Sequence, residues 1–594
     1  MSRSAASWHD GGTMNAILDI RDAGPRALLL EFAGLDDVLA HHQHLSRLPL
    51  AGQREAVAAA RTVLLRFDAP EAARRARHAL DTLTVGAFSA QDSQVVELEV
   101  VYDGEDLADV AGRVGMSVDA LIAWHTGTEF TGAFGGFAPG FTYCVPVDPT
   151  SALEVPRRDT PRTAVPAGSV ALAGEFSAVY PRVSPGGWQL IGRTPARMWD
   201  LDREEQGESP ALVRPGDVVR HRAVRDAARV RTPAPAAGPA PAEAPEVALE
   251  VLDPGLQTLI QDLGRDGLSD LGVSRAGAAD ESAMRQANRL VGTAAEAPVL
   301  EVLHGGLRLR AAQSLVLAVA GAEVPVSVTD ADGGTRTPGM REPFLLTTGD
   351  TVHLGTPRRG LRAVVAVRGG FAAEPVLGSA SADTMSGLGP APLQAGDRLG
   401  VADAVVAPVG EPEPTTLPEA EPDGAIPLRF TRGPRDDWFA EEEIHRLQSQ
   451  RWRVTPESNR IGIRLGLPAA TEGGGEDSGE EGVKPRPLER ARDGELPSEG
   501  VPRGSLQMPP AGLPVLFLND HPVTGGYPVI GVVIDEDLPA AAQLAPGDVV
   551  ALRAVDPLSL EPADAALTAT ALTVTVPADT RPAHRTPFTC EDPA

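Results

Sequence analysis

Ser184-Pro-Gly-Gly-Trp-Gln-Leu-Ile-Gly192 is echoed by Val523-Thr-Gly-Gly-Tyr-Pro-Val-Ile-Gly531 and, more loosely, by Val367-Arg-Gly-Gly-Phe371. About 20–30 residues beyond each Gly-Gly pair comes a Gly-Asp turn that enters an apolar run: Pro215-Gly-Asp217, Ala395-Gly-Asp397 and Pro546-Gly-Asp548. One such pairing carries little, because Gly-Asp turns are common. Three in the same order point to three related β modules, since recurrence at similar spacing marks a repeated unit. From Val95 onward the surrounding sequence consists of short alternating runs punctuated by Gly and Pro, a mostly-β pattern. Ahead of it, Asn15 to about Thr84 reads as a small α/β block. Its strands are at Ala27–Phe32 and Ala60–Phe67, and helical apolar spacing covers Leu35–Leu48 and Glu71–Leu83. The expected fold class is mainly β, with a small α/β N-terminal domain followed by tandem barrel-like β domains.

The breaks between modules are compositional. Arg231 to Glu246 reads RTPAPAAGPAPAEAPE, an extended and semi-rigid Ala/Pro linker. The expected division is 15–92 (α/β), 93–225 (barrel), 226–246 (linker), 247–405 (barrel), 406–427 (Pro/Glu linker), 428–556 (barrel) and 557–594 (tail). A Gly/Glu-rich insertion at 469–484 falls within the last barrel.

The chain has 594 residues, with 53 basic against 81 acidic side chains and a net charge of −28. That length requires several cores, and the negative balance argues against a nucleic-acid partner. Cys144 and Cys590 cannot make a disulfide framework, residues 1–12 lack a signal-peptide apolar core, and no stretch is long and apolar enough for a membrane span. The default expectation is a cytoplasmic protein. Lys484 is the single lysine, so the other 52 basic residues are arginine. A Walker lysine is therefore excluded, and a biotinyl-lysine or pyridoxal Schiff base on this chain is disfavoured. Any bound phosphate must be held by arginine and backbone amides.

The densest run of candidate chemistry is Gly135-Gly136-Phe137-Ala138-Pro139-Gly140-Phe141-Thr142-Tyr143, where glycines permit close backbone approach and aromatics wall a pocket. Arg158 and Arg162 follow on proline-stiffened loops, then Ser169, Trp188 and Arg193. As a cluster these read as an anion-binding pocket, although each residue alone fits a barrel turn. His125, after a helical run from Val110 to Ile122, reads as a base, a ligand or a core-edge histidine, and Cys144 as a buried thiol. His41, His42 and His44 require only a solvated helix face, and no metal site is expected. A second dense region holds Gln261-Asp262-Leu-Gly-Arg265, Asp280 and Glu301. These carboxylates suit either the orientation of Arg265 and water-mediated magnesium binding, or turn capping and an ordinary salt bridge. The run Asp520-His521-Pro-Val-Thr524-Gly525-Gly526-Tyr527 invites the same two readings.

These motifs carry a resemblance. Residues 93–222 resemble allophanate hydrolase subunit 1, also called the B subunit of 5-oxoprolinase, through Tyr102-Asp-Gly-Glu-Asp-Leu107, Gly136–Phe141, Val165-Pro-Ala-Gly-Ser169 and Ser184–Trp188. The block from Asn15 is similar to that family's N-terminal domain. Residues 248–556 resemble allophanate hydrolase subunit 2, the C subunit of 5-oxoprolinase, or biotin-dependent carboxyltransferase-like family. The matching runs are Gln261–Arg265, Glu499-Gly-Val501 and Thr524-Gly-Gly-Tyr-Pro528. The resemblance implies cyclophilin-like barrels and a fusion of two usually separate subunits. It also implies ATP-dependent ring opening of 5-oxoproline to glutamate, with Mg2+ and a partner resembling the A subunit of 5-oxoprolinase. By analogy, Arg158, Arg162 and Arg193 would meet substrate carboxylate or phosphate, the Gly136–Phe141 loop the ring, and Asp262, Arg265 and Asp280 a second site. Ser169, Trp188, Gln261, Glu301 and Gly525–Tyr527 would line the substrate sites. The alternatives are a carboxyltransferase component acting with a separate biotin carrier, and a non-enzymatic regulator of a sensor kinase. A homo-oligomer is left open. The Gly/Glu insertion and Asn519-Asp-His521 depart from the family pattern.

Overall fold

The computed structural model describes residues 16–86, 93–158, 160–225, 247–468, 484–494 and 496–562. The Ala/Pro linker, nearly all of the Gly/Glu insertion, most of the tail and Cys590 lie outside the described residues.

The N-terminal domain is a four-stranded antiparallel sheet in which Ala27–Glu31 and Thr62–Phe67 are the central strands. Both are continuous apolar runs because both faces of the sheet are covered. Helices Leu35–Arg47 and Pro70–Leu80 lie against it, and Leu30, Leu45, Leu65 and Leu80 are fully buried between them. Each such leucine contributes about 1.5–3 kcal/mol of burial free energy. The first helix corrects one expectation. His41 and His42 are buried rather than solvated, and His42 Nε2 reaches Asp270 of the second half at 3.0 Å.

The next module is a seven-stranded sheet whose edge strands are joined by a bridge between Val101 and Arg193. The helical run expected at Val110–Ile122 is two helices, Leu107–Arg113 and Val118–Gly127. Gly115 breaks the run at φ 72°, and Ser117 restarts it by accepting a hydrogen bond from the Ala120 amide. The second half begins with six- and five-stranded sheets stacked over a shared Leu/Val core. It ends in a closed seven-stranded barrel from Ile426 to Ala554.

The Gly-Asp turns explain the repeat physically. Gly216, Gly396 and Gly547 adopt φ of 93°, 93° and 100°, where a Cβ is disfavoured. Each following Asp accepts a hydrogen bond from the amide three residues back: Asp217 from Arg214 (2.9 Å), Asp397 from Gln394 (2.7 Å) and Asp548 from Ala545 (2.8 Å). In the first and last barrels the strand that follows closes the module by pairing in parallel with its first strand. In the middle module it pairs antiparallel. A fourth turn of the same kind, Gly349-Asp350 with Asp350 accepting from the Thr347 amide, enters Thr351–Leu354, but the Gly333-Gly334 pair ahead of it is followed by Thr335 rather than an aromatic residue. The Gly-Gly motifs of the first and last barrels also correspond, since Ser184–Gly186 and Thr524–Gly525 each form a two-stranded ribbon.

The two halves interlock. The Gly140 amide donates to the Leu271 carbonyl at 2.9 Å and the Ala60 amide to the Ser498 carbonyl at 3.1 Å. Among the described residues no helix is long and apolar enough to cross a membrane.

Candidate active site at the junction of the two halves

The Gly135–Phe141 loop lies against the second half of the same chain. A Cβ on Gly135 would come within 2.2 Å of the Asp270 carbonyl oxygen, and one on Gly136 within 2.3 Å of Thr524 Oγ1. The glycines thus serve a close approach, and what they approach is protein. Phe137 (φ 60°) and Phe141 pack edge-on with Tyr180, and Trp188 packs on Phe141 and Tyr143. Pro139 and Gly140 are buried in the same turn. The Tyr143 hydroxyl lies beside Ser498 and Thr524, and its pKa is raised mainly by burial.

Three charged side chains from different parts of the chain influence one another electrostatically: Arg182, Arg265 and Asp383. Arg265 is 4% exposed, and only its Nη2 has partners, the Ser381 carbonyl at 2.7 Å and the Ser379 carbonyl at 3.4 Å. Its Nε and Nη1 are buried without a partner. Arg182, from the first half, has a buried Nε without a partner. Asp383 attracts both guanidiniums, while burial opposes their charge. Asp383 itself is 2% exposed and accepts from Ser274 Oγ (2.8 Å) and from the amides of Met385 and Ser386 (2.9 Å each). Burial first, and then repulsion from Asp520, raises its pKa. Buried N–H groups without partners cost about 1–3 kcal/mol each, so their persistence calls for a ligand or ordered water. Guanidinium pairs suit a carboxylate or a developing oxyanion, and a carboxyl group whose pKa is raised by burial suits proton transfer.

The other second-half residues have structural partners. The Asp262 carboxylate accepts from the Gly264 and Ala380 amides and from the Ser379 and Ser381 hydroxyls, pinning the loop that carries Asp383. Asp280 caps the helix Glu281–Leu290 through the Ala283 amide (2.9 Å) and accepts from Gln543 at 2.7 Å, and burial raises its pKa. Gln261 donates to the Ala382 carbonyl, while its own side-chain carbonyl lacks a partner. Glu301 accepts from Arg460, which also grips Asp520 with two N–H groups (3.0 and 2.8 Å), and Asp520 accepts from Thr384 as well. Asn519 donates to the carbonyls of Ala276, Gly277 and Ala278.

The first-half candidates divide differently. Arg158 and Arg162 both donate to Asp106 Oδ1 (2.7 and 2.8 Å), and Arg193 donates to Asp103 at 2.9 Å. Arg158 Nε and Arg162 Nη1 remain without partners. Ser169 is buried in the strand Ser169–Ala173. His125 is buried in its own barrel between the Tyr102 hydroxyl (2.7 Å) and Ser177 Oγ (3.0 Å), with the His221 ring 4.0 Å away, and burial holds it well below the ordinary histidine range. Burial pushes the Cys144 thiol up to about 12, a buried thiol as expected. Gly525 packs on Gln507, Gly526 faces Arg157, and the Tyr527 ring lies 5.7 Å from Arg490. The Gly136–Phe141 loop thus lies at the contact between the halves, and Arg265 shares the attraction of Asp383 with Arg182 of the first half, while Arg158, Arg162, Arg193 and His125 have partners within the first barrel. Sequence reasoning did not single out Arg182, Asp383 or Arg460, which no local motif marks. Among the described residues no group of three or more His, Cys, Asp or Glu could hold a metal ion.

Known proteins divide along the same line. Residues 18–208 match the family described as carboxyltransferase domain, subdomain C and D, and residues 271–554 match carboxyltransferase domain, subdomain A and B. Over 305 residues the chain is 32% identical to the C subunit of 5-oxoprolinase from Escherichia coli (strain K12), covering 50% of this chain and 87% of that protein. Over 132 residues it is 44% identical to the B subunit of 5-oxoprolinase from Escherichia coli O157:H7, covering 22% of this chain and 58% of that protein. Urea amidolyase of Lachancea kluyveri is 30% identical over 316 residues, which is 51% of this chain and 16% of that protein. The crystal structure of TTHA0988 matches 89% of this chain and 99% of its own at a TM-score of 0.73 and 34% identity. The chain thus belongs to the carboxyltransferase-domain family, with one part similar to the B subunit of 5-oxoprolinase and another similar to the C subunit, fused in one polypeptide.

Proposed function

We propose that this protein is the fused B/C component of an ATP-dependent 5-oxoprolinase, acting with a separate partner that resembles the A subunit of that enzyme. The observation that carries the reading is a pair of guanidiniums, the half-buried Arg182 from the first half and the buried Arg265 from the second, that keep buried N–H groups without partners and are both attracted by Asp383. A site built from both halves explains why they function together.

A lactam is a poor electrophile. In this reading the γ-phosphoryl group passes from ATP to the lactam oxygen, the bond to the β-phosphate oxygen breaks, and ADP leaves. One water then adds to the activated carbon, and collapse breaks the ring C–N bond to give an acyl phosphate and a free amine. A second water releases phosphate and completes glutamate. Arg182 and Arg265 hold the substrate carboxylate or the developing oxyanion, and Asp383, whose proton burial favours, supplies it to the departing nitrogen. Magnesium enters on the nucleotide phosphates, as that ion commonly does.

A second reading follows from the family description and the urea amidolyase similarity: carboxyl transfer from a biotin carried on another chain. The experiment that separates the two measures phosphate release and glutamate in parallel, with purified protein, the A-type partner, ATP and 5-oxoproline. Glutamate formed in proportion to phosphate supports the 5-oxoprolinase reading. No glutamate with a partner of verified activity, but urea carboxylation with a biotin carrier, supports the second.

A further inference from the structure

We propose that the arginine-lined cleft between the N-terminal domain and the second half binds the polyphosphate of a nucleoside triphosphate. The proposal rests on the ATP-dependent reading above and adds to it the place where ATP sits. The cleft encloses about 520 Å³, walled by Arg26, Arg54 and Arg66 on one side and Arg275, Arg285 and Arg503 on the other. Six guanidiniums face five carboxylates there, in a chain whose net charge is −28. A second open cleft, of 630 Å³, has three arginines against five carboxylates and would repel an anion.

On the floor of the arginine cleft, Asp266 lies 3.5 Å from Arg275 and Asp535 lies 3.8 Å from Arg503. Arg275 and Arg503 both donate to Oε1 of Glu281, at 2.6 and 2.8 Å, and Arg285 lies 3.6 Å from its other oxygen. Glu281 is thus shared by three guanidiniums, two of which have a second, longer carboxylate contact. Burial opposes the Glu281 charge, yet Arg503 and Arg275 overcome it and hold the carboxyl at about 2. At the rim, Arg54 is exposed and has no ion-pair partner among the described residues.

The chemistry suits phosphate. Guanidinium forks meet paired phosphate oxygens and need no lysine. The volume lies within the roughly 300–1,000 Å³ of pockets that enclose a sizeable ligand, and a five-membered lactam acid would leave most of it empty. Pro25, Val532 and Pro539 add an apolar wall against which a base can lie. The cleft also borders the junction. Leu263, Gly264 and Asp266 line it, while the intervening Arg265 turns to the carbonyls of Ser379 and Ser381.

The test titrates tripolyphosphate and the magnesium complex of adenosine 5′-(β,γ-imido)triphosphate into the full chain by calorimetry. Wild type is compared with the double variant Arg54→Ala/Arg285→Ala, at an exposed and a half-exposed position whose loss leaves the buried ion pairs intact. Both probes are expected to bind wild type, and the double variant to bind them at least about tenfold more weakly with an unchanged melting temperature. Failure of wild type to bind either probe, or equal binding by the variant, overturns the proposal. Equal binding with ATP-driven glutamate formation intact would overturn the cleft assignment and leave the function standing. Weakened binding in a protein that forms no glutamate would do the reverse.

Discussion

Arg460 and Arg265 are equally buried, each 4% exposed, and differ only in what their guanidiniums meet. Arg460 is saturated: Nη1 donates to Glu301, Nη2 to the Gly277 carbonyl and Asp520, and Nε to Asp520. It ties the middle module to the last barrel, and the two carboxylates raise its pKa against the opposing effect of burial. Arg265 uses one nitrogen for two carbonyls and leaves two without partners. Burial lowers its pKa, with Asp383, Asp262 and Asp520 compensating only in part. At equal burial, then, satisfaction separates a guanidinium that holds the fold from one available to a ligand.

The largest expected effect breaks the saturated member. Arg460→Met strands Glu301 and Asp520 in the interior and should cost about 3–5 kcal/mol, read as a drop in the urea midpoint at constant m-value. Removing both sides of that interaction together, in Arg460→Met/Glu301→Gln/Asp520→Asn, should recover part of the loss.

A titration sharpens the contrast at the neighbouring residue. His521 Nδ1 donates to the Pro522 carbonyl, and its ring stacks on Phe517. Its pKa is lowered to about 4, first by burial and then by Arg66 and Arg503, with the Pro522 hydrogen bond and Asp520 opposing. The unfolded chain therefore takes up a proton near pH 6.5 that the folded chain refuses until about pH 4. Stability should be full above about pH 6.5 and fall by up to about 3 kcal/mol as pH drops to about 4. His521→Asn should flatten that fall in urea midpoints measured at about pH 7, 5 and 4.

Smaller effects follow at the contact between the halves. Gly135→Ala drives a methyl into the Asp270 carbonyl and should cost about 1–3 kcal/mol by thermal melting. Arg158→Ala should cost no more than about 1 kcal/mol, because Arg158 is 35% exposed and Arg162 remains on Asp106.

Much of this architecture is legible in the chain because glycine at positive φ followed by a capping Asp leaves a local trace. The three turns at Gly216, Gly396 and Gly547 are readable for that reason, and Gly349-Asp350 is obscured because the Gly333-Gly334 pair ahead of it lacks the following aromatic residue. The candidate site is less legible. Asp262 and Asp280 stand out as acids near glycine, yet that signal also marks the loop-pinning and helix-capping partners the structure gives them. Arg182 and Asp383 belong to different modules and meet only when the halves dock, so no spacing rule relates them. Glycine next to aromatic residues at Gly135–Phe141 reads equally as room for a ligand or for another part of the chain.

The contrast between the two arginines is tested most directly by calorimetric titration of 5-oxoproline into wild-type protein and Arg265→Met, with urea unfolding of both as the control. Arg265→Met should lose at least about tenfold in affinity while its stability stays within about 1 kcal/mol of wild type. Unchanged affinity, or a loss of stability as large as that of Arg460→Met, would contradict the assignment of Arg265 to a ligand.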